Sequence, residues 1–462
     1  MNYKMRLIHR ILLAIEAGIL LAFTVPPVNI KLTAWIALIP LLIAIYNVRW
    51  HKAFFLGVLS GLIYFSAAGY WIFIFTKIGF IISILVTASF IGLFCALVQL
   101  LQARNLWWKM FLPPLIWVSL AHIFSFTPIE SFWAHFGQPQ PLYLLQIISI
   151  TGLAGLTFLI VSANSIISSY ITHVKKRKIP IVAGAIVAAI VLLITVYGAI
   201  NVQEDVTGDL SVAIVQPNFP DAMEWRKEHV DEIFETYEKL ILEAREADLI
   251  VLPLYTIPAE FNEILRKFEN LSRMSNSYIT LGTYRGKTNV ALLFSNEGKL
   301  IGEYAAIHKP PFRNQTTGNK YVVMNTDLGS LSLLSCYDTM GEKITREFVR
   351  KGSQLLVSMA NDNRFLGTTE FQQHFEKDML SAVQNKRYIV RAVPSGISGI
   401  IDPYGRVLER SEIGKQQILF GKVKDIEEQT LFTRFGDVLS LLSLFVLVLY
   451  AIRHKIHFAK KK

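Results

Sequence analysis

Cys336 is the residue of this sequence that is best placed to act as a nucleophile. It follows an apolar run at 331–335 and precedes Tyr337 and Asp338. The run is typical of a buried strand, and open α/β folds place reactive groups where the carboxyl end of a strand meets a turn. The same position also suits a small core residue, because free cysteine is among the most buried side chains. Position alone therefore leaves a catalytic thiol and a core residue equally open.

Lys309 is the candidate partner of this thiol. A nearby cation lowers the pKa of a thiol and so produces the thiolate that attacks an electrophile. Lys309 lies in the segment Ile-His-Lys-Pro-Pro-Phe at 307–312. A single lysine in a loop is usually solvated, but an apolar segment with two prolines favours a defined position. We therefore expect Lys309 to hold a defined position and retain it as a candidate partner of Cys336.

The second cysteine, Cys95, lies in a long apolar run, where we expect it to be buried in lipid or between helices. No disulfide between it and Cys336 is expected. A single thiol in an oxidising compartment needs a reason, and catalysis is one. His135, His308 and His374 are far apart in the sequence, and neither a zinc-type spacing nor a glycine-rich phosphate loop is present. We expect no metal and no cofactor.

Long apolar runs fill residues 1–202, and one more lies near the C-terminus. Hydrophobic residues make up 52% of the 462 residues and charged residues 18%, which is more apolar than an ordinary soluble domain. About 20 mostly apolar residues cross a bilayer. The sequence therefore predicts eight membrane spans, at 8–25, 32–48, 53–75, 80–101, 110–126, 142–171, 180–200 and 439–452.

Lysine and arginine residues indicate how the chain crosses the membrane, because they gather on the cytoplasmic side. They lie before the first span, in every second loop and in the C-terminal tail, whereas the intervening loops carry few. We therefore expect the N-terminus to be inside and the large segment at 209–427 to be outside. The same clusters account for the net charge of +11, so we expect contact with membrane headgroups and no nucleic-acid binding.

The segment at 209–427 alternates strand-like and helix-like patterns. A long amphipathic helix is predicted at 224–247, and strands are predicted at 210–215, 248–252, 279–283, 290–294, 331–335, 355–359 and 396–402. This alternation favours a layered α/β domain. The expected organisation is a seven-helix transmembrane domain at 1–202, an extracytoplasmic domain at 209–427 and a C-terminal transmembrane helix at 435–453.

Aromatic side chains mark a possible contact with lipid. Trp133 and Phe136 lie in the loop at 127–141, and Phe312 lies beside Lys309. One interpretation is an aromatic belt at the membrane interface. The other is the lipid-facing rim of a site at the membrane surface, and we retain the three residues as candidates for it.

Five short motifs follow one another along the chain: Phe-Phe-Leu-Gly at 54–57, Val-Ala-Ile-Val-Gln-Pro-Asn at 212–218, Leu-Ile-Val-Leu-Pro at 249–253, Ser-Cys-Tyr-Asp at 335–338 and Asn-Asp at 361–362. The motifs of the segment at 209–427 resemble the nitrilase, or carbon-nitrogen hydrolase, superfamily. Together with the apolar runs, the whole chain resembles the apolipoprotein N-acyltransferase family. The resemblance implies a multi-span α-helical bundle in the bacterial inner (cytoplasmic) membrane. It also implies that the extracytoplasmic domain is a nitrilase-like α-β-β-α sandwich.

The resemblance implies an acyl transfer. In the family a cysteine attacks an acyl ester of a phospholipid, a glutamate is the general base and a lysine stabilises the oxyanion. The thioester then passes its acyl chain to the α-amine of a diacylglyceryl-cysteine lipoprotein. By this resemblance Cys336 is the nucleophile and Lys309 the lysine.

The family's glutamate is replaced in this chain by Leu254, within Pro-Leu-Tyr-Thr-Ile-Pro at 253–258. A leucine cannot accept a proton, and losing a positioned base costs on the order of 10²–10⁴-fold in rate. Glu260 and Asp338 are the possible substitute bases.

Three functions remain open on this sequence. The first is an N-acyltransferase that works without the family's glutamate. The second is an impaired or inactive paralogue that binds lipid or lipoprotein. The third is an amidase for a small extracytoplasmic amide, which the missing base and the membrane helices disfavour.

Overall fold

A computed structural model describes residues 5–101, 105–127, 140–202, 208–220, 226–309 and 314–459 of the chain. The chain divides into two compact units, one from Met1–Asn201 with Asp437–Lys462 and the other from Val202–Gly436. The first unit is helical, and the second contains helices and two β-sheets. The division falls where long apolar runs give way to mixed polarity.

Helices form at each of the eight predicted spans. They are α1 (Leu7–Ala22), α2 (Ala34–Ala37), α3 (Ile39–Ala44), α4 (Trp50–Gly69), α5 (Ile72–Phe75), α6 (Lys77–Leu100), α7 (Leu106–Phe124), α8 (Leu142–Leu145), α9 (Ile148–Thr172), α10 (Lys178–Asn201) and the C-terminal helix Val438–Ala459. Among the described residues, α4, α6, α9 and α10 are long and apolar enough to cross a membrane. The second, third and sixth predicted spans differ from expectation, because each is broken into two helices.

One buried side-chain amide forms hydrogen bonds with backbone groups at the break between α2 and α3. Pro40 lies in the first turn of α3 and cannot continue the preceding helix. The Asn164 side chain of α9 accepts a hydrogen bond from the Leu38 amide at 2.8 Å and donates one to the Ala34 carbonyl at 2.9 Å. A side chain that pairs freed backbone groups permits a broken helix in an apolar environment.

Small residues allow α4 and α6 to approach closely. A Cβ added at Gly61 would lie 2.7 Å from the Ala88 Cα, and one added at Gly57 would lie 2.5 Å from the Ile91 carbonyl oxygen. Helices in membranes associate largely through such close packing.

The second unit contains twelve strands in its described residues. They are β1 (Leu210–Gln216), β2 (Leu249–Val251), β3 (Tyr278–Arg285), β4 (Thr288–Phe294), β5 (Leu300–Ala305), β6 (Met324–Thr326), β7 (Gly329–Ser335), β8 (Leu355–Met359), β9 (Ile389–Ala392), β10 (Gly399–Ile401), β11 (Val407–Arg410) and β12 (Gln417–Val423). Its helices are α11 (Val230–Glu243), α12 (Phe261–Ser275), α13 (Glu342–Arg350), α14 (Glu370–Asn385) and α15 (Leu431–Phe435).

The strands form two six-stranded sheets, ordered β12-β1-β2-β3-β4-β5 and β11-β10-β9-β8-β7-β6. Strands β1 to β3 are parallel, and so are β7 to β9. The parallel strands lie at the centre of each sheet, and antiparallel strands complete the edges.

Alternate side chains of β1 lie in two different hydrophobic cores, because successive side chains of a strand point to opposite faces of the sheet. Val212 and Ile214 belong to the core shared with β7 and β8 of the second sheet. Ala213 and Val215 belong to a separate core with α11 and α12. On the second sheet, α14 packs against β9 and β10. The predicted α-β-β-α sandwich is therefore confirmed.

The amphipathic helix predicted at 224–247 is shorter than expected, because α11 spans Val230–Glu243. A 3-10 turn at Lys227–His229 precedes it, and residues 221–225 lie outside the described part of the chain. Ile233, Tyr237, Leu240 and Ile241 form its buried face, as their helical spacing predicts.

Candidate active site

Cys336 lies directly after β7, at the first position of a 3-10 turn that spans Cys336–Met340. Its backbone has a φ of 50°, in the left-handed region that non-glycine residues rarely adopt. Such strain persists where the surrounding structure imposes it, and it clusters at functional sites. Strand β8 runs parallel to β7 on one side, so the loops that follow the two strands meet at one edge of the sheet.

Asp338 fastens the turn of Cys336 to a second loop. Its carboxylate is fully buried and accepts four hydrogen bonds, from the Tyr304 hydroxyl at 2.9 Å and from the amides of Ile307 at 3.1 Å, His308 at 2.8 Å and Ser335 at 3.0 Å. Burial raises the pKa of Asp338 to about 6, against the effect of these donors. With both oxygens occupied, Asp338 is better suited to positioning Cys336 than to taking its proton.

The ammonium group of Lys309 points elsewhere. Lys309 is exposed, and its Nζ donates a hydrogen bond to the Gln315 carbonyl at 2.9 Å. Among the described residues, no hydrogen bond or ion pair joins Lys309 to Cys336. The expected pairing of the two is therefore not formed in this conformation, although Asp338 holds the loop that leads to Lys309.

Glu260 lies on the surface of the second unit. Its carboxylate pairs with the Lys227 ammonium at 2.6 Å, and both side chains are more than three-quarters exposed. The hydrogen bond from Lys227 lowers the pKa of Glu260. An exposed carboxylate that is already paired is poorly suited to accept a proton from the half-buried thiol of Cys336. The geometry therefore does not favour Glu260 as a substitute base.

Leu254 is fully buried in the core between the sheets. Its amide donates to the Ala360 carbonyl at 3.4 Å, which joins the loop after β2 to the loop after β8. A Cβ added at Gly282 would lie 2.5 Å from the Leu254 Cδ1, so the side chain fills its space closely. The position that would hold the family's glutamate is therefore an apolar contact in this chain.

Tyr255 follows Leu254 and adopts a φ of 61°. Its ring stacks on Tyr284 with 4.3 Å between centroids, and its hydroxyl donates to Asn289 Oδ1 at 3.1 Å. Burial raises the pKa of Tyr255, and charges on Tyr284 and Cys336 raise it further. The loop after β2 thus still reaches the neighbourhood of Cys336 without its carboxylate.

A cluster of buried charged side chains lies near Cys336. His374 of α14 lies with its Nδ1 3.2 Å from Asp362 Oδ1 and 3.8 Å from Glu370 Oε1. The Arg391 guanidinium on β9 donates to Asp362 Oδ2 at 2.6 Å and to Asp378 Oδ2 at 2.7 Å. All five side chains are at least nine-tenths buried.

His374 links this cluster to the turn of Cys336. Its Nε2 lies 3.0 Å from the Thr339 hydroxyl and 3.3 Å from the Cys336 carbonyl oxygen. Nδ1 faces the carboxylates, so one imidazole spans from Asp362 and Glu370 to the backbone of the nucleophile.

The pKa of the Cys336 thiol is raised to about 12. Burial is the main cause, and the negative charges of Asp362 and Glu370 add to it. The Asn361 amide and Arg391 act in the opposite direction. In this conformation the Lys309 ammonium does not offset these effects, so the thiol needs a proton acceptor when it reacts.

One group of side chains could supply ligands to a cation. Oxygen and nitrogen atoms of Asp362, Glu370 and His374 all lie within 4.8 Å of one another, although the sequence suggested no such grouping. Arg391 already places a positive charge against Asp362. A guanidinium in that place opposes the binding of a second cation, so the cluster suits proton chemistry better than a metal.

The aromatic candidates Trp133, Phe136 and Phe312 lie outside the described residues. Glu370, Asp378 and Arg391 belong to this cluster but were not singled out by the sequence analysis. The available signal for Glu370 was its spacing of four residues from His374, which puts both side chains on one face of a helix.

Two family profiles match the chain. The apolipoprotein N-acyltransferase N-terminal domain matches residues 17–166, and the carbon-nitrogen hydrolase profile matches residues 211–428. Relatives named apolipoprotein N-acyltransferase are similar over most of the chain. That of Geobacter metallireducens is 29% identical over 92% of this chain and 92% of its own length. That of Gloeobacter violaceus is 25% identical over 94% of this chain and 92% of its own.

This chain belongs to the apolipoprotein N-acyltransferase family. Solved structures similar to its α/β unit include a carbon-nitrogen hydrolase from Helicobacter pylori, with 17% identity and a TM-score of 0.40 over 46% of this chain and 88% of the other. A nitrilase-superfamily protein of Saccharomyces cerevisiae has 17% identity and a TM-score of 0.38 over 48% of this chain and 93% of the other. As a member of this family with apolar spanning helices, the chain is a bacterial membrane protein.

Proposed function

We propose that this protein N-acylates lipoproteins through a thioester on Cys336. The observation that carries the proposal is the strained turn of Cys336 at the carboxyl end of β7, fastened by Asp338 and bordered by a buried proton-binding cluster. Similarity to apolipoprotein N-acyltransferases over most of the chain supports the choice of substrates. The acyl donor is a phospholipid, and the acceptor is the N-terminal amine of a diacylglyceryl-cysteine lipoprotein.

The first half-reaction forms the thioester. The thiol of Cys336 gives up its proton as its sulfur attacks the ester carbonyl of the phospholipid. A bond forms between sulfur and the acyl carbon, and the ester bond to the glycerol oxygen breaks. That oxygen takes up the proton and leaves as the hydroxyl of a lysophospholipid.

The second half-reaction returns the thiol. The α-amine of the lipoprotein attacks the thioester, an amide bond forms and the carbon–sulfur bond breaks. The proton lost by the amine returns to the Cys336 sulfur. Each half-reaction passes through a tetrahedral oxyanion, which positioned donors or cations stabilise.

In this proposal Lys309 stabilises the oxyanion after a change of side-chain conformation. Its Nζ would leave the Gln315 carbonyl, which is an exposed partner. The anchoring of the His308 amide by Asp338 keeps the base of this loop beside the turn of Cys336. A substrate carbonyl on Cys336 would then attract the ammonium group.

The proposed orientation places the α/β unit outside the cytoplasm. It rests on the alternation of basic and poorly charged loops along the sequence. Outside the cytoplasm, Cys336 would meet acyl chains and the lipid-modified cysteines of exported lipoproteins.

The thioester is tested on the full chain, purified and incubated with phosphatidylethanolamine vesicles. Mass spectrometry should find an acyl group on Cys336 and none on the Cys336→Ala variant. Peptide mapping separates this thiol from Cys95. A thiol that stays free in the presence of phospholipid would contradict the proposal.

A second candidate is a lipid- or lipoprotein-binding protein without turnover. The replacement of the expected base by the buried Leu254 favours it. It predicts that Cys336→Ala leaves binding of a diacylated lipopeptide, and the protein's effect in cells, unchanged.

A further inference from the structure

We propose that Glu370 accepts the thiol proton of Cys336, in place of the carboxylate that Leu254 has removed. This inference rests on the proposed thioester function. The two candidates suggested by the sequence are poorly suited, since Glu260 is exposed and paired and both oxygens of Asp338 accept hydrogen bonds. Glu370 differs from both in its surroundings.

Glu370 is the first residue of α14 and is 7% exposed. Its Oε2 is buried and has no hydrogen-bond partner among the described residues. Leaving a buried carboxylate oxygen unpaired is costly, so such a group calls for an explanation. A proton that moves to and from this oxygen during the reaction provides one.

Four titratable groups on four different elements lie around Glu370. Asp362 lies in the loop after β8, Arg391 on β9, His374 one turn further along α14 and Cys336 in the turn after β7. Burial and the charge of Asp362 raise the pKa of Glu370 well above its ordinary value, while Arg391 opposes them. The charge of Glu370 in turn raises the pKa of the Cys336 thiol.

These mutual effects suit a proton exchange between the two groups. An ionised Glu370 in this environment is a stronger base than an ordinary carboxylate, because its pKa lies closer to that of the thiol. When the sulfur bonds to the acyl carbon, the thiol proton moves to Glu370. The same proton then moves to the departing glycerol oxygen, so that Glu370 ends the half-reaction as it began.

His374 is a positioning residue in this arrangement. Its imidazole lies between the carboxylates and the Cys336 carbonyl oxygen, so it fixes the distance between α14 and the turn. Arg391 neutralises Asp362, which would otherwise compete with Glu370 for the proton.

The test compares Glu370→Gln with Glu260→Gln in the full chain. The two changes are chemically identical, but Glu260 is an exposed residue that pairs with Lys227 on the surface. Two readouts are taken from each protein: the rate of acylation of Cys336 by phosphatidylethanolamine, and the rate of its alkylation by iodoacetamide from about pH 5 to 9. Peptide mapping again separates Cys336 from Cys95.

We expect Glu260→Gln to match the unmodified protein and Glu370→Gln to acylate on the order of 10²-fold more slowly. In the unmodified protein, alkylation should fall as the pH falls through the raised pKa of Glu370, because a protonated carboxyl cannot take the thiol proton. Glu370→Gln should lose this step and react only at alkaline pH. Acylation by Glu370→Gln at the unmodified rate would overturn the inference.

Glu370→Asp separates a base from a structural support, because it keeps the carboxylate on a shorter stem. It should retain more of the rate than Glu370→Gln, and equal losses in both would make Glu370 structural. If even the unmodified protein is not acylated, the proposed function fails. The alkylation profile then still decides the role of Glu370, because an unchanged profile in Glu370→Gln contradicts it.

Discussion

The four hydrogen bonds accepted by Asp338 make this residue sensitive to substitution. Asn in its place can accept at one oxygen only and presents an NH₂ group towards donors. A buried donor left unpaired costs about 1–3 kcal/mol. We expect Asp338→Asn to lower the thermal midpoint of the purified protein and to slow thioester formation, because the turn of Cys336 loosens. Unchanged values of both would remove Asp338 from its positioning role.

The raised pKa of Asp338 also predicts a pH dependence of stability. Folding raises this pKa from 3.8 to about 6, so the protonated form is favoured in the folded state. Its contribution is present below about pH 4 and is lost as the pH rises through about 6. The change is on the order of 3 kcal/mol, since one pKa unit corresponds to about 1.4 kcal/mol. The pH dependence of the thermal midpoint should flatten in Asp338→Asn across this window. Parallel curves for the two proteins would contradict the assignment.

The Arg391 guanidinium on β9 forms ion pairs with two buried carboxylates. Removing Arg391 leaves Asp362 and Asp378 buried without their cation, which typically costs about 3–5 kcal/mol. Arg391→Met should therefore lower the thermal midpoint strongly. Arg350→Met is the matched control, because the Arg350 side chain is 51% exposed and its surface ion pair with Glu347 contributes little to stability. Similar losses in the two variants would show that the buried cluster is not a principal source of stability.

Central strands could be predicted from the sequence where they form a continuous apolar run, as expected of a strand buried on both faces. The runs at 210–215, 331–335 and 355–359 lie within β1, β7 and β8. The sequence analysis did not identify the edge strands β5, β6, β11 and β12, whose exposure is mixed, or the central strand β9, in which Arg391 interrupts the apolar residues. Strand β12 pairs with the distant β1, whereas β11 forms a local hairpin with β10.

Some residues of the candidate site could be identified from their neighbours in the sequence, whereas others depend on contacts between distant segments. Cys336 could be identified from its place after an apolar run, and the absent glutamate from the residue at 254. The importance of Glu370 could not be recognised, because it depends on the packing of α14 against the loops after β7 and β8. Likewise, the sequence does not reveal that the Lys309 ammonium binds a backbone carbonyl.

At the scale of the whole molecule, two units of different character serve one proposed reaction. Apolar helices in the first unit suit contact with a phospholipid, and the sandwich of the second unit supports the nucleophile. An amidase acting on a small soluble substrate would not need the spanning helices. The proposed acyl transfer from phospholipid to lipoprotein accounts for both units.

The most direct test of this account is the N-acylation of a lipoprotein in cells. A bacterium depleted of its own apolipoprotein N-acyltransferase would express this chain or its Cys336→Ala variant at equal levels, and mass spectrometry would measure the N-terminal amide on a reporter lipoprotein. The account predicts an N-acylated reporter with the unmodified chain and a free α-amine with Cys336→Ala. A free α-amine in both cultures would contradict it, as would N-acylation in both.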